Sequence, residues 1–242
     1  MTYAIVAIWC FVVAVAGGAV GLVLGNIRLP LLVLAASSPA AGAGANIGIS
    51  GVSALTSATV HVRAGRIDWR LAAWLTPPSV VGAIVGGYLS GKVPKNAFLA
   101  TIGIFLLAMA ADLVRRRGPT RRHGMRPAET LAIGGAIGLL GGFVGLILGS
   151  LRLPALLRAG EPLTLAIGTN MTVGFFVGMA GVVGHAPGGV DWTLLGVGAG
   201  ASVPGALVGA RLTGRLDEAR LQQAIAAILV VAGVAMLVQA FA

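Results

Sequence analysis

Two segments of this chain, Gly21-Leu-Val-Leu-Gly-Asn-Ile-Arg-Leu-Pro30 and Gly145-Leu-Ile-Leu-Gly-Ser-Leu-Arg-Leu-Pro154, repeat one pattern 124 positions apart, and each sets an arginine in apolar sequence. An arginine near the middle of a membrane span costs from about 2.5 to more than 10 kcal/mol, so one that is kept faces protein or water and has an anionic partner. The planar guanidinium offers fixed donors that match the fork of a carboxylate or sulfonate. Arg28 and Arg152 therefore point to binding of a compact oxyanion at one shared site. The competing reading is a side chain that snorkels or pairs with an internal acid. It has little to draw on, because Asp68, Asp112, Glu129, Glu161, Asp191, Asp217 and Glu218 all fall at the ends of apolar runs.

The residues beside the arginines extend the same chemistry. Gly25, Asn26, Gly149 and Ser150 form a break, and Pro30 and Pro154 are expected to open a new half-helix whose free amides and partial positive charge attract an anion. Asn46 and Asn170, 124 apart, begin later spans where they orient a ligand or cap a helix. Ser50 and Thr169, with Ser53 and Thr172, offer hydroxyls on that side. His61 and His185 are read as interfacial and not as aligned partners, and nothing is spaced to complete a metal site. The lone Cys10 excludes an intrachain disulfide. With no nucleophile and paired base in view, the chain reads as a non-enzyme without cofactor or metal.

The elements that must hold these residues follow from composition. Of 242 residues, 57% are hydrophobic and 10% charged, which a soluble domain cannot present to water. The fold class expected is an all-α polytopic membrane protein. About eight spans are drawn, 3–24, 44–61, 71–91, 96–114, 128–149, 163–183, 192–213 and 220–240, each near the ~20 residues that cross a bilayer. The halves share Gly44-Ala-Asn46 with Gly168-Thr-Asn170, Asp68-Trp69 with Asp191-Trp192, and Gly82-Ala-Ile-Val-Gly86 with Gly205-Ala-Leu-Val-Gly209, at offsets of 124 and then 123. Residues 1–114 and 127–242 thus read as homologous four-span repeats, each with a broken or re-entrant segment after Gly25 or Gly149.

Between them, 115–126 carries six arginines and reads as a cytoplasmic linker by the positive-inside rule. Lys92 and Lys95 then lie outside, the Arg63, Arg66 and Arg70 loop inside, and the N-terminus inside. An even number of spans favours parallel repeats, whereas a re-entrant hairpin would allow inverted ones. Asp68 and Asp191 are expected to cap helices, with Trp69 and Trp192 in the interfacial belt. The first apolar run reads as a retained span, not a signal peptide. Glycine faces permit a homodimer, and the basic linker can touch anionic lipid. Nucleic acid is excluded as a partner because aromatic stacking residues are missing near the charges.

The Gly-x3-Gly-x4-Pro pattern near the start of each half, followed by Gly-Ala-Asn or Gly-Thr-Asn and then a span rich in proline and glycine, resembles the TauE/SafE proteins. These form the sulfite exporter or 4-toluene sulfonate uptake permease family, and the resemblance covers nearly the whole chain. It implies an inner-membrane transporter of sulfite, sulfonates, sulfoacetate-like compounds or related small organic anions. A proton or counter-ion as coupling partner and facilitated diffusion both stay open. The rival functions are an anion-selective channel, with the arginines as a selectivity ring, and a membrane assembly protein that transports nothing.

Overall fold

The computed structural model describes residues 2–20, 22–115, 127–158, 160–211 and 218–241. The expected linker, 115–126, falls outside the described residues except for Arg115, as do Gly21 and Asp217.

Ten α-helices follow one another, with no strand among the described residues. In the first half these are α1 (Thr2–Val20), the short α2 (Gly25–Ala35), α3 (Pro39–Arg63), α4 (Trp69–Ser90) and α5 (Lys95–Arg115). The second half repeats the series as α6 (Pro127–Val144), the short α7 (Gly149–Arg158), α8 (Leu163–His185), α9 (Trp192–Arg211) and α10 (Glu218–Phe241). Each of the eight long helices falls on one expected apolar run, but α1 and α6 stop at Val20 and Val144, short of the expected ends at 24 and 149. By length and composition, 69–90, 164–188 and 192–211 are long and apolar enough to cross a membrane.

Local chemistry sets the helix starts. Ser38 Oγ accepts from Ala41 N at 3.1 Å, with Pro39 in the first turn of α3. Asp68 Oδ1 accepts from Leu71 N at 2.9 Å and Asp191 Oδ1 from Leu194 N at 3.0 Å, the two caps expected from the sequence. Trp69 and Trp192, one residue on, are both exposed.

The prolines behave differently from expectation. α2 begins at Gly25 and α7 at Gly149, so Pro30 and Pro154 lie inside these helices instead of opening them. The break falls earlier because α1 ends in a tight reversal, with Leu22 N donating to Gly17 O at 2.9 Å. From there α2 runs back along α1. Trp9 Nε1 donates to Ile27 O at 3.4 Å, and farther along Leu32 packs with Val6 and Cys10. The segment is a returning hairpin arm, not an extension of the first span.

That extra pass overturns the parallel arrangement. A side chain at Gly44 would meet His185 Cβ at 2.9 Å, one at Gly51 would meet Gly178 Cα at 3.1 Å, and one at Gly168 would meet His61 Cβ at 3.1 Å. Numbers that rise along α3 fall along α8, so these corresponding helices are antiparallel. α4 lies beside α6 and α1 beside α9, each pair side by side in the same direction, as the glycines show: Gly82 faces Leu139 and Gly86 faces Phe143, while Gly205 faces Ala14 and Gly209 faces Ala19. Small residues let these backbones approach closely where the hydrophobic effect gives helices no reason to associate.

With α2 returning, α1 and α3 both start at the end of the bundle that holds Lys92 and Lys95, opposite the Arg63, Arg66 and Arg70 end. This corrects the placing of the N-terminal end beside the Arg63 loop. The histidines are also corrected. Read as unaligned and at one end, His61 and His185 in fact stand 124 apart in matching places, in the last turns of α3 and α8 at opposite ends of the bundle, and both are buried in protein. The bundle surface is apolar, with Val81, Ile104, Val183 and Val231 at least 61% exposed, while its polar side chains concentrate inside. That distribution suits hydrocarbon as solvent.

Candidate anion site

The two arginines are the bulkiest fully buried side chains among those described, Arg28 at 1% exposure and Arg152 at 0%. Each stands on the first turn of a short returning helix and faces the long helix that follows, α3 or α8. Among the described residues neither has a carboxylate partner.

Around Arg28 the hydrogen bonding is closed. Nε donates to Asn46 Oδ1 at 3.0 Å, Nη2 to Ser50 Oγ at 2.6 Å and Nη1 to Ser202 Oγ at 3.5 Å. Asn46 Nδ2 in turn donates to Gly25 O at 3.1 Å and to Gly145 O, in the other half, at 2.8 Å. Gly145 must be glycine, since its φ is +80° and a Cβ would strike the Ala43 Cβ at 2.5 Å. Asn46 thereby ties both reversals to one guanidinium. A void of about 10 Å³ beside Arg28, lined also by Gly17, Ser53 and Ser57, has room for roughly one water.

Around Arg152 the hydrogen bonding is open. One contact is present, Nη1 to Asn170 Oδ1 at 3.4 Å. Arg152 Nε, Arg152 Nη2 and Asn170 Nδ2 are buried without a partner, and so is Ser79 Oγ. Buried donors left unmade cost about 1–3 kcal/mol each and more when charged, so a set of them marks a place that another group completes.

Of the residues singled out by sequence, Arg28, Asn46, Ser50 and Gly25 meet in one cluster, and Arg152, Asn170 and Gly149 in the other. Ser150 belongs to the first turn of α7 and Pro154 to its interior; Pro30 sits one turn beyond the first turn of α2. Asn26 turns inward, its Oδ1 accepting from Ile27 N at 3.1 Å. Ile27 N also bonds to Leu24 O and Gly149 N to Ile147 O, so these first-turn amides are occupied locally instead of standing free. Thr169 is elsewhere, its Oγ1 accepting from Asp68 N at 2.9 Å. Ser53 and Thr172 bond back to Ile49 O and Gly168 O of their own helices.

Sequence reasoning missed Ser202 and Ser79. The signal was present in Ser79-Val-Val-Gly-Ala-Ile-Val-Gly86 against Ser202-Val-Pro-Gly-Ala-Leu-Val-Gly209, three residues before glycines already matched.

Residues 6–236 match the family described as Sulfite exporter TauE/SafE. Two similar proteins come from Bacillus subtilis (strain 168). The probable membrane transporter protein YunE is 23% identical over 90% of this chain and 89% of its own length. The probable membrane transporter protein YjnA is 25% identical over 86% and 89%. No solved structure matches. With a family match over nearly the whole length and apolar helices around a buried polar interior, the chain is membrane-embedded and belongs to the TauE/SafE sulfite exporter family of membrane transporters.

Proposed function

We propose that this protein is a secondary transporter of the inner membrane that moves sulfite, sulfonates or related small organic anions through a site at the paired helix breaks. The observation that carries this reading is the pair of guanidiniums buried inside an apolar bundle without a carboxylate among the described residues. A charge held there without a fixed counter-charge is uphill in a medium of low dielectric, and a transient anion supplies the missing partner.

The architecture supports alternation of access. Eight long helices and two short ones form two homologous repeats of inverted sense, α1–α5 and α6–α10, with corresponding helices antiparallel. The short helices start near the middle, where broken segments in transporters place their sites. Rocking one set of helices against the other about those breaks would open the site to each face in turn. The end of α5 and the start of α6, between which the basic sequence runs, share one end of the bundle with the Arg63, Arg66 and Arg70 loop, and the positive-inside rule makes that end the cytoplasmic one.

The test is counterflow in proteoliposomes with labelled sulfite and methanesulfonate. A carrier loaded with unlabelled anion accumulates the labelled one transiently against its gradient, with saturation. Flux that rises linearly with concentration and shows no overshoot would make the protein a channel, and no anion flux would end the transport reading.

A further inference from the structure

The two arginine clusters correspond residue by residue, and they differ in one acceptor. Arg28 uses the Nε/Nη2 edge of its guanidinium, the edge with two parallel N–H donors, on Asn46 Oδ1 and Ser50 Oγ. The same edge of Arg152 is buried with no hydrogen-bond partner. Asn46 has its counterpart in Asn170, 124 residues on, but Ser50 corresponds to Gly174. The short bond that closes the first cluster therefore cannot form in the second, and Asn170 meets Nη1 instead.

Ser79 completes the comparison. Its counterpart, Ser202, accepts from Arg28 and stands beside Cys10, with Ser202 Oγ 3.5 Å from Cys10 O. Position 124 residues beyond Cys10 is Gly134, and a side chain there would meet Ser79 Oγ at 3.2 Å. Ser79 thus occupies, against α6, the corner that Ser202 occupies against α1.

We propose that the anion's head is held in the second half alone, by Arg152, Asn170 and Ser79, and that Arg28 is structural, its donors taken up by Asn46, Ser50 and Ser202. Two oxygens of the head accept from the unpartnered Nε/Nη2 fork, as a bidentate acceptor does. A third faces Asn170 Nδ2 and the Ser79 hydroxyl. A head with three acceptor oxygens, as in sulfite or a sulfonate, offers a separate oxygen to Asn170 Nδ2 and Ser79, whereas a carboxylate seated in the fork has no third oxygen to turn toward them. This assignment rests on the transport reading above and names the part of the paired breaks that does the binding.

The experiment measures counterflow KM for sulfite and methanesulfonate, with acetate as a two-oxygen competitor, together with the ligand-free melting temperature, on the full chain. Gly174→Ser offers Arg152 the internal acceptor that Arg28 has. Its Cβ would lie 3.3 Å from Ile147 Cγ2 and 3.5 Å from Ala54 Cβ, which side-chain adjustment can accommodate. The expected result is a KM raised at least about tenfold with the ligand-free melting temperature kept or raised. Ser79→Ala removes an unpartnered hydroxyl and should also raise KM without lowering the melting temperature, and it decides the matter should Gly174→Ser not fold. Ser50→Ala should lower the ligand-free melting temperature. Wild-type KM in both Gly174→Ser and Ser79→Ala, or a larger KM change in Ser50→Ala than in either, overturns the assignment while leaving transport intact. A wild-type protein that moves none of the anions overturns the transport reading instead.

Discussion

At the scale of single residues the two halves spend the same side chains differently. Asn46 accepts from Arg28 and donates to carbonyls of both reversals, whereas Asn170 has one long contact. Removing Asn46 strands a guanidinium N–H and the carbonyls of Gly25 and Gly145 in a dry interior. Asn46→Ala is expected to cost about 3 kcal/mol or more, while Asn170→Ala costs roughly 1 kcal/mol or less. Thermal unfolding in detergent checks the contrast, and equal losses would mean that the asymmetry of the hydrogen bonds has no energetic counterpart. The arginines and asparagines were legible in the sequence because a charge or amide in an apolar run has few explanations. Ser79 and Ser202 were not, since serine is common in spans and its role depends on what faces it across the bundle. The inequivalence of Ser50 and Gly174 was written in the sequence but had no meaning until Ser50 was seen to close a fork.

At the scale of elements the eight long runs could be read directly, because an uncharged stretch near twenty residues has one use. The returning arms could not. Runs of 11 and 10 residues fit a continuation of the preceding helix as well as a hairpin, and proline drew the expected boundary to the wrong place. What decides between them is tertiary, namely Trp9 meeting Ile27 and Leu32 meeting Val6. A related contact between elements joins the loop ahead of α8 to the start of α4. Burial first, and the neighbouring Asp68 carboxyl second, push the Glu161 carboxyl above its ordinary value. An acid with a raised folded pKa holds its proton more tightly folded than unfolded. Its destabilising effect is therefore absent below the unfolded value, near 4.5, and develops as pH rises through the raised folded value. Glu161→Gln is accordingly expected to raise the melting temperature at pH 7.5 and to leave it unchanged at pH 4. A difference from wild type that is the same at both pH values would show that the loop contact carries no such linkage.

At the scale of the whole molecule, one hairpin arm per half decides the topology. Four long helices alone would leave both ends of the first half on one face of the bundle. The short α2 turns the chain back once more, so α1 starts at the lysine end and α5 finishes at the arginine end. The second half then enters from the opposite side, which makes α3 antiparallel to α8 and brings α10 out at the lysine end, where α1 began. Arg63, Arg66 and Arg70 and the C-terminal end of α5 lie at one end of the bundle and Lys92 and Lys95 at the other, and by the positive-inside rule the arginine end is the expected cytoplasmic one. Reporter fusions after Thr120 and after Ala242 read this arrangement in cells. A fluorescent protein that folds only in the cytoplasm should light up at Thr120 and stay dark at Ala242, and alkaline phosphatase should do the reverse. Cytoplasmic signal at both positions would require an even number of passes in the second half, and α7 would then have to continue the span before it instead of turning back to carry Arg152 beside α8.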